Sequence, residues 1–201
     1  MKSARLGVAA LAIVSLSPCL GAPIHDAARQ GDPEAVAKLL DQGNTLEARD
    51  ETGETPLVVA SLAGRPEVVA VLIKRGADIG ARNDRGLTAL HAAAYTGSFE
   101  VVRELVQAGA KVNDAENNFK VTPLIVAAEE DHVDVLAFLV DQGADVTWTE
   151  RGGYTATSRA VFRHHWQTVD ALLKKGAKCQ DKDTIGFWAA ECDKRMAALP
   201  R

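Results

Sequence analysis

The feature that most constrains this chain is a unit that repeats every 33 or 34 residues. Threonines recur at Thr55, Thr88, Thr122 and Thr155, and closing glycines recur at Gly43, Gly76, Gly109, Gly143 and Gly176. Each interval contains two apolar segments separated by polar connections. A fixed period of this length predicts a solenoid of stacked units, in which each unit packs on its neighbours and no central cavity forms.

The residue types within each unit predict two helices. The recurring threonines are suited to cap a helix, each accepting a hydrogen bond from a free amide two or three residues on. Pro56 and Pro123 follow two of them, where a missing N–H costs nothing. Small residues come next, and larger apolar residues such as Val68, Val69 and Leu72 then share one face of a second helix. The closing glycines are expected to end that helix in the left-handed conformation.

The motifs Thr55-Pro56-Leu57, Thr88-Ala89-Leu90-His91 and Thr122-Pro123-Leu124 resemble the ankyrin repeat. Gly76-Ala77-Asp78 and Gly143-Ala144-Asp145 add to that resemblance. The resemblance implies an all-α ankyrin-repeat solenoid of about five helix-turn-helix units joined by hairpin loops, with a C-terminal capping helix. The expected repeats are residues 24–53, 54–86, 87–119, 120–153 and 154–180, followed by a cap over 181–201 with a closing helix near Ile185 to Met196.

Three parts of the array depart from the pattern. The first copy, beginning near Ile24-His25-Asp26-Ala27-Ala28, lacks the hairpin and the threonine, as a terminal cap would. The third connection, Lys111 to Val121, is one residue longer than the others and has Asn117-Asn118-Phe119-Lys120 in place of the usual glycine turn. Asparagine tolerates positive φ, so we expect this turn to survive with an altered shape. In the fifth copy, Phe162-Arg163-His164-His165-Trp166 replaces the usual small residue and glycine turn.

Residues 1–21 have the pattern of a secretory signal peptide. Lys2 and Arg5 precede the apolar segment from Leu6 to Leu16, which is too short to span a bilayer. We expect cleavage after Gly21 and a mature domain over residues 22–201. In the alternative, Cys19 is lipidated within Leu16-Ser17-Pro18-Cys19, although Pro18 stands where a small residue is expected. Export to the periplasm follows, with no membrane association after cleavage unless Cys19 carries a lipid.

Either processing route leaves Cys179 and Cys192 as the remaining thiols of the chain. An even pair in an exported chain favours a disulfide, which would join the last repeat to the closing helix. The alternative is two separate thiols.

No motif typical of a catalytic or phosphate-binding site occurs in the sequence, so we expect neither an enzyme nor a cofactor. His25 and His91 occupy the histidine position of the ankyrin motif, where the resemblance implies hydrogen bonds to neighbouring hairpin backbone. His164 and His165 could support an enzyme or cofactor carrier, but adjacent side chains on a helix diverge, so we expect no metal site. Lysine and arginine are interspersed with acids at a net charge of −4, which argues against a nucleic-acid partner.

The resemblance implies a protein partner, bound by a monomer through hairpin tips and the exposed sides of the first helices. Aromatic and arginine side chains in these positions are typical of interface hot spots. In the alternative, Trp148 and Phe162 complete the core of the irregular last repeat, and the carboxylate cluster Glu129-Glu130-Asp131 belongs to a solvated face. The predicted partner-binding residues are Glu51, Glu54, Leu62, Asp84, Arg85, Tyr95, Phe119, Glu129, Glu130, Trp148, Arg151, Tyr154, Phe162 and Arg163.

The short signal peptide and small size are similar to those of small periplasmic ankyrin proteins. That likeness implies either an antidote that blocks a toxin in the periplasm or an accessory factor that supports a periplasmic catalase. A third possibility is an effector exported to act on a host protein.

Overall fold

A computed structural model describes residues 23–198, and these residues form helices joined by turns, without a strand. The predicted signal peptide, its cleavage site and Cys19 lie outside the described residues. Ten of the helices form five pairs, which confirms the expected all-α solenoid. The first helices of the pairs are α1 (Pro23–Gln30), α3 (Pro56–Leu62), α5 (Ala89–Thr96), α7 (Pro123–Glu129) and α9 (Ala156–Arg163). The second helices are α2 (Pro33–Asp41), α4 (Pro66–Lys74), α6 (Phe99–Gln107), α8 (Val133–Asp141) and α10 (Trp166–Lys174).

The predicted threonine caps are confirmed at three of the first helices. The hydroxyls of Thr55, Thr122 and Thr155 each accept a hydrogen bond from the amide three residues on, at 3.3 to 3.4 Å. At Thr88 the imidazole of His91 takes part instead, since its Nδ1 accepts the Thr88 amide at 3.3 Å. Each cap satisfies an amide that the helix itself leaves without a partner.

One core runs through all five pairs, because equivalent apolar residues of successive units stack on each other. Leu72, Leu105, Leu139 and Leu172 lie at the same position of α4, α6, α8 and α10, and all four are fully buried. On the first helices, alanines such as Ala93 and Ala127 are also fully buried. Their small side chains let neighbouring first helices pack closely, so these helices form one continuous face, which we call the first-helix face.

The turns keep their shape where the sequence loses glycine. The closing glycines have φ between 89° and 97°, as expected. Asp131 and His164, with φ of 63° and 65°, occupy the turn positions that Gly64 and Gly97 hold in earlier units. In the third connection the residue with positive φ is Lys120, at 54°, and not an asparagine. Asn117 supports that turn instead, because its Oδ1 accepts the amides of Phe119 and Val121 at 3.2 and 3.1 Å.

The single closing helix expected near Ile185 to Met196 is replaced by two helices. These are α11 (Lys182–Ile185) and α12 (Trp188–Ala197), and the chain turns between them at Gly186, whose φ is 63°. Ile185, Ala189 and Cys192 are buried on this cap. In the structure Cys192 is bonded to Cys179, with the two Cα atoms 5.9 Å apart.

The segment before the cap closes the fifth repeat through one side chain. Gln180 Oε1 accepts hydrogen bonds from the Thr155 amide, at 3.2 Å, and from the Ser158 hydroxyl. Gln180 Nε2 donates to the Gly153 carbonyl at 2.9 Å. A fifth connection would lie at this position, so Gln180 takes its place. Among residues 23–198 no helix has both the length and the apolar character needed to cross a membrane.

Candidate partner-binding surface

The tips of successive connections are joined by backbone hydrogen bonds. The bonds run from the Asp84 amide to the Thr52 carbonyl, from Asn118 to Arg85 and from Arg151 to Phe119, at 3.4, 3.2 and 2.9 Å. They form a ladder that crosses four connections. The backbone of each tip is therefore held by the backbone of its neighbour before any partner binds.

Two buried histidines fasten the connections to the first helices. His25 Nε2 lies 3.0 Å from the carbonyl oxygens of Ala48 and Glu54, and His91 Nε2 donates to the Val121 carbonyl at 3.1 Å. Burial lowers the pKa of His91, which favours its neutral form. The expectation that both histidines bond hairpin backbone is confirmed.

A second ladder joins the ends of the first helices. Arg65 Nε donates to the Arg29 carbonyl at 3.1 Å. His132 and His165 Nε2 contact the carbonyl oxygens of Tyr95 and Glu129 at 2.9 and 3.1 Å. Each bond reaches the preceding unit, so these side chains hold adjacent repeats together.

The side chains of His164 and His165, which are adjacent in the sequence, point in different directions. The His164 ring centroid lies 4.5 Å from that of Trp188, on the cap, whereas His165 contacts α7. Within residues 23–198 no group of three or more histidine, cysteine or acidic side chains is placed to hold a metal ion.

The tips of the third and fourth connections carry an exposed aromatic and cationic cluster, which we call the tip patch: Phe119, Lys120, Trp148 and Arg151. Phe119 and Trp148 are each 37% exposed. Trp148 Nε1 donates to the Lys120 carbonyl at 2.9 Å, and Arg151 Nη1 donates to the Asn118 carbonyl at 3.2 Å. These bonds hold the Trp148 indole and the Arg151 guanidinium against the backbone of the third connection.

The first-helix face carries ionisable groups at the C-terminal ends of α5 and α7. Burial, and secondarily the charge of Glu129, raise the pKa of Glu130. Burial also raises the pKa of Tyr95. The Glu129 carboxylate is buried and paired with Arg163 Nη2 at 3.0 Å, while its Oε2 atom has no hydrogen-bond partner. This region therefore offers a phenol and a carboxylate to a partner, with a second carboxylate beneath them.

Comparison with known proteins agrees with this geometry. A family model described as ankyrin repeats, in three copies, matches residues 24–116 and again residues 112–183. This chain belongs to the ankyrin repeat family. Ankyrin repeats bind other proteins and form a non-enzymatic fold, so the array is a protein–protein interaction module.

Two relatives share short stretches of ankyrin sequence with the chain. Over 64 residues it is 36% identical to the transient receptor potential cation channel subfamily A member 1 of Drosophila melanogaster. The matched stretch is 32% of this chain and 5% of that protein. Over 52 residues it is 38% identical to the probable E3 ubiquitin-protein ligase XBOS33 of Oryza sativa subsp. japonica. This stretch is 26% of the present chain and 10% of that protein. The chain thus spans a small part of the relatives it matches.

Most of the predicted binding residues of the ankyrin array are accessible. The exposed ones are Glu51, Asp84, Arg85, Phe119, Trp148, Arg151 and Arg163. The half-buried ones are Glu54, Leu62, Tyr95, Glu130, Tyr154 and Phe162. The interpretation of Glu129 as part of a solvated face is wrong, because its side chain is 1% exposed and is covered by the ion pair with Arg163.

Phe162 and Trp148, for which the alternative was a place in the core, lie in different surroundings. The rings of Tyr154 and Phe162 meet edge to face with centroids 5.2 Å apart, and the Arg159 guanidinium lies 5.1 Å from the Tyr154 ring. Phe162 therefore packs against its own repeat, as the core alternative proposed. The Trp148 ring does not pack in the core, because it is exposed at the tip of the fourth connection.

Sequence reasoning missed two features. Lys120 was not selected as a binding residue, although its place in a glycine position was visible. An aromatic cleft of about 440 Å³ on the cap, lined by Trp166, Phe187, Trp188, Ala190 and Glu191, was also missed. Its signal was the concentration of four of the ten aromatic residues between positions 162 and 188.

Proposed function

We propose that this ankyrin protein is a non-enzymatic binding module that acts in the periplasm and blocks a toxin there by covering it with the tip patch and the first-helix face. The observation that carries the proposal is the set of hydrogen bonds that fixes the backbone of Phe119 and the side chains of Trp148 and Arg151 at the surface. Aromatic and arginine side chains dominate interface hot spots. Fixing them in advance lowers the cost of ordering them on binding.

The hydrogen-bonded tips support the antidote role over the accessory role. An accessory factor needs only moderate affinity, whereas an antidote must stay bound while the toxin is present. A surface that is already ordered favours slow dissociation, because little conformational freedom is lost in the complex.

Export is supported by the positive and apolar pattern of residues 1–21 and by the pairing of Cys179 with Cys192. Fractionation of cells that express the full chain tests it. The protein should be recovered in the periplasmic fraction with Ala22 at its N-terminus. Recovery of uncleaved chain in the cytoplasm would contradict export, and a lipid mass on Cys19 would replace signal cleavage by lipidation.

The binding function is tested by a pull-down from periplasmic extract, using the chain expressed from its full sequence and mass spectrometry of the captured proteins. One stoichiometric partner should be recovered, and it should be lost with the Tyr95→Ala/Phe119→Ala variant. Phe187→Ala is the matched control, since this ring is 74% exposed on the cap. A partner retained by the double variant would place the binding surface elsewhere. A captured partner that is not a toxin would contradict the antidote role.

A further inference from the structure

Lys120 is held in a backbone conformation that its side chain disfavours. The equivalent positions of the other connections are Gly53, Gly86 and Gly153, with φ between 72° and 83°. Lys120 has φ of 54°. A residue with a Cβ is strained in this left-handed region, and such strain is found where the surrounding structure has a use for it. The chain could have used glycine here, as it does three times, so the Lys120 side chain itself needs an explanation.

Trp148 also departs from the pattern that the chain repeats. The equivalent residues are Ala48, Ala81 and Ala115, so the largest side chain replaces the smallest. The indole does not fill the core, because Trp148 is 37% exposed. Its Nε1 instead donates to the carbonyl of Lys120. The two departures are thus joined by one hydrogen bond, next to exposed Phe119.

The tip patch carries two positive charges. Lys120 and Arg151 are exposed, and neither takes part in an ion pair between residues 23 and 198. The carboxylates nearest in sequence bond other groups, and Glu116 pairs with Arg82 at 3.1 Å. Glu150 is buried in an ion pair at 2.7 Å, and Asp145 accepts the amide and hydroxyl of Thr147 at 2.8 and 2.7 Å. Two cations therefore flank two apolar rings on a chain whose net charge is −4.

We propose that the tip patch binds an acidic protein segment in which an apolar side chain is flanked by carboxylates. The apolar side chain packs on Phe119 and Trp148, and the carboxylates pair with Lys120 and Arg151. Two cations match the charge of a short acidic loop, whereas nucleic acid needs a longer basic stripe and is repelled by the net charge of the chain. This proposal rests on the proposed binding function, for which it names the chemistry of the partner.

The test is selection of a random twelve-residue peptide library displayed on phage against the immobilised protein, which is expressed from its full sequence. Three proteins are compared: wild type, Lys120→Glu/Arg151→Glu, and Lys74→Glu/Lys174→Glu. The last is the matched control, since it makes the same charge change at exposed lysines of α4 and α10. Peptides enriched on wild type should carry acidic residues beside an apolar one. When these peptides are synthesised, they should bind the tip variant at least tenfold more weakly than wild type and should bind the control variant as well as wild type.

The outcomes separate the two proposals. Enriched peptides without carboxylates, or peptides that the tip variant still binds, would overturn the acidic-segment assignment and leave the binding function standing. No enrichment on wild type would overturn both. Binding of a labelled oligothymidine to wild type and not to the tip variant would replace the protein segment by nucleic acid and overturn the assignment.

Lys120→Gly separates binding from folding. Glycine relieves the strain at φ of 54°, so the thermal midpoint should rise, while affinity for the selected peptide should fall severalfold. A higher midpoint with unchanged affinity would show that the lysine is not needed for recognition and would overturn its role.

Discussion

Arg163 of the fifth repeat reaches back 34 residues to pair with the buried Glu129 carboxylate of the fourth repeat, at 3.0 Å. Two residues that the sequence assigns to a partner therefore satisfy each other. Because Arg163 lies over Glu129, it also sets the shape of the first-helix face beside Glu130.

We expect Arg163→Ala to destabilise the fold, because it leaves the Glu129 carboxylate buried without a cation. The loss should be about 2 kcal/mol, which is less than at a fully buried pair because the Arg163 side chain is 42% exposed. Urea unfolding followed by circular dichroism measures it. The added change Glu129→Leu should recover most of the loss, since Leu62 occupies the same position two repeats earlier. A double variant as unstable as Arg163→Ala alone would show that the pair does not account for the loss.

The stability of the array should fall as the pH decreases below about 6.5. Burial lowers the pKa of His91 in the folded state. The unfolded chain therefore takes up this proton first, and the unfolding free energy drops by up to ~1.4 kcal/mol per pH unit until His91 is protonated in the folded state as well. Thermal unfolding between pH 8 and 5.5 measures this slope.

His91→Gln is the control for that slope, because it removes the titrating group. The raised pKa values of Glu54, Glu104 and Glu130 act in the opposite direction at lower pH, and they are present in both proteins. The variant should show a flatter pH dependence than wild type. If the stability of the two proteins changed with pH in parallel, the loss of stability at low pH would come from a group other than His91.

Cys179 and Cys192 should be oxidised in the exported protein. Mass spectrometry should show a mass lower by two hydrogen atoms than after reduction, and alkylation of the native protein should label neither residue. The disulfide closes a loop with a sequence separation of 13 residues. The variant Cys179→Ser/Cys192→Ala opens this loop, so its unfolding free energy should be lower by about 3 kcal/mol in the chain-entropy model. Two alkylatable thiols in the native protein would contradict the disulfide.

Tyr95 and Phe119 should act as anchors for the partner. Alanine at either position should weaken binding by more than ~1 kcal/mol, measured by calorimetry with the captured protein. Phe162→Ala should lower stability more than affinity, because its ring packs on Tyr154. Unchanged affinity in the Tyr95→Ala/Phe119→Ala protein would move the site away from these residues.

The fold was predictable because its determinants are local and recur. A threonine cap or a closing glycine acts within a few residues, and each recurs once per unit, so the period itself indicated the stacking. The burial of Glu129 was not predictable in this way. It depends on Arg163 from the following repeat and on the contact of His165 with the Glu129 carbonyl.

The cap and the third connection show a second limit. At the cap, Gly186 splits the apolar segment into two helices, whereas the periodicity alone is compatible with one. In the third connection the turn keeps the geometry of the other connections, in which Gly53, Gly86 and Gly153 have positive φ. Asn117 accepts two amides as Asp50 and Asn83 do, so the positive φ falls on Lys120.

Gln180 gives the array a defined length. Its amide group is bonded to Gly153, Thr155 and Ser158, and Ser158 lies at the position from which His25 and His91 bond the connection that follows their repeats. Inserting a further unit after the fifth one would therefore have to displace this side chain. A longer protein built from these units could grow by duplication inside the array, between existing repeats, but not by addition at its C-terminal end unless the segment from Gln180 to Cys192 is moved outward with it.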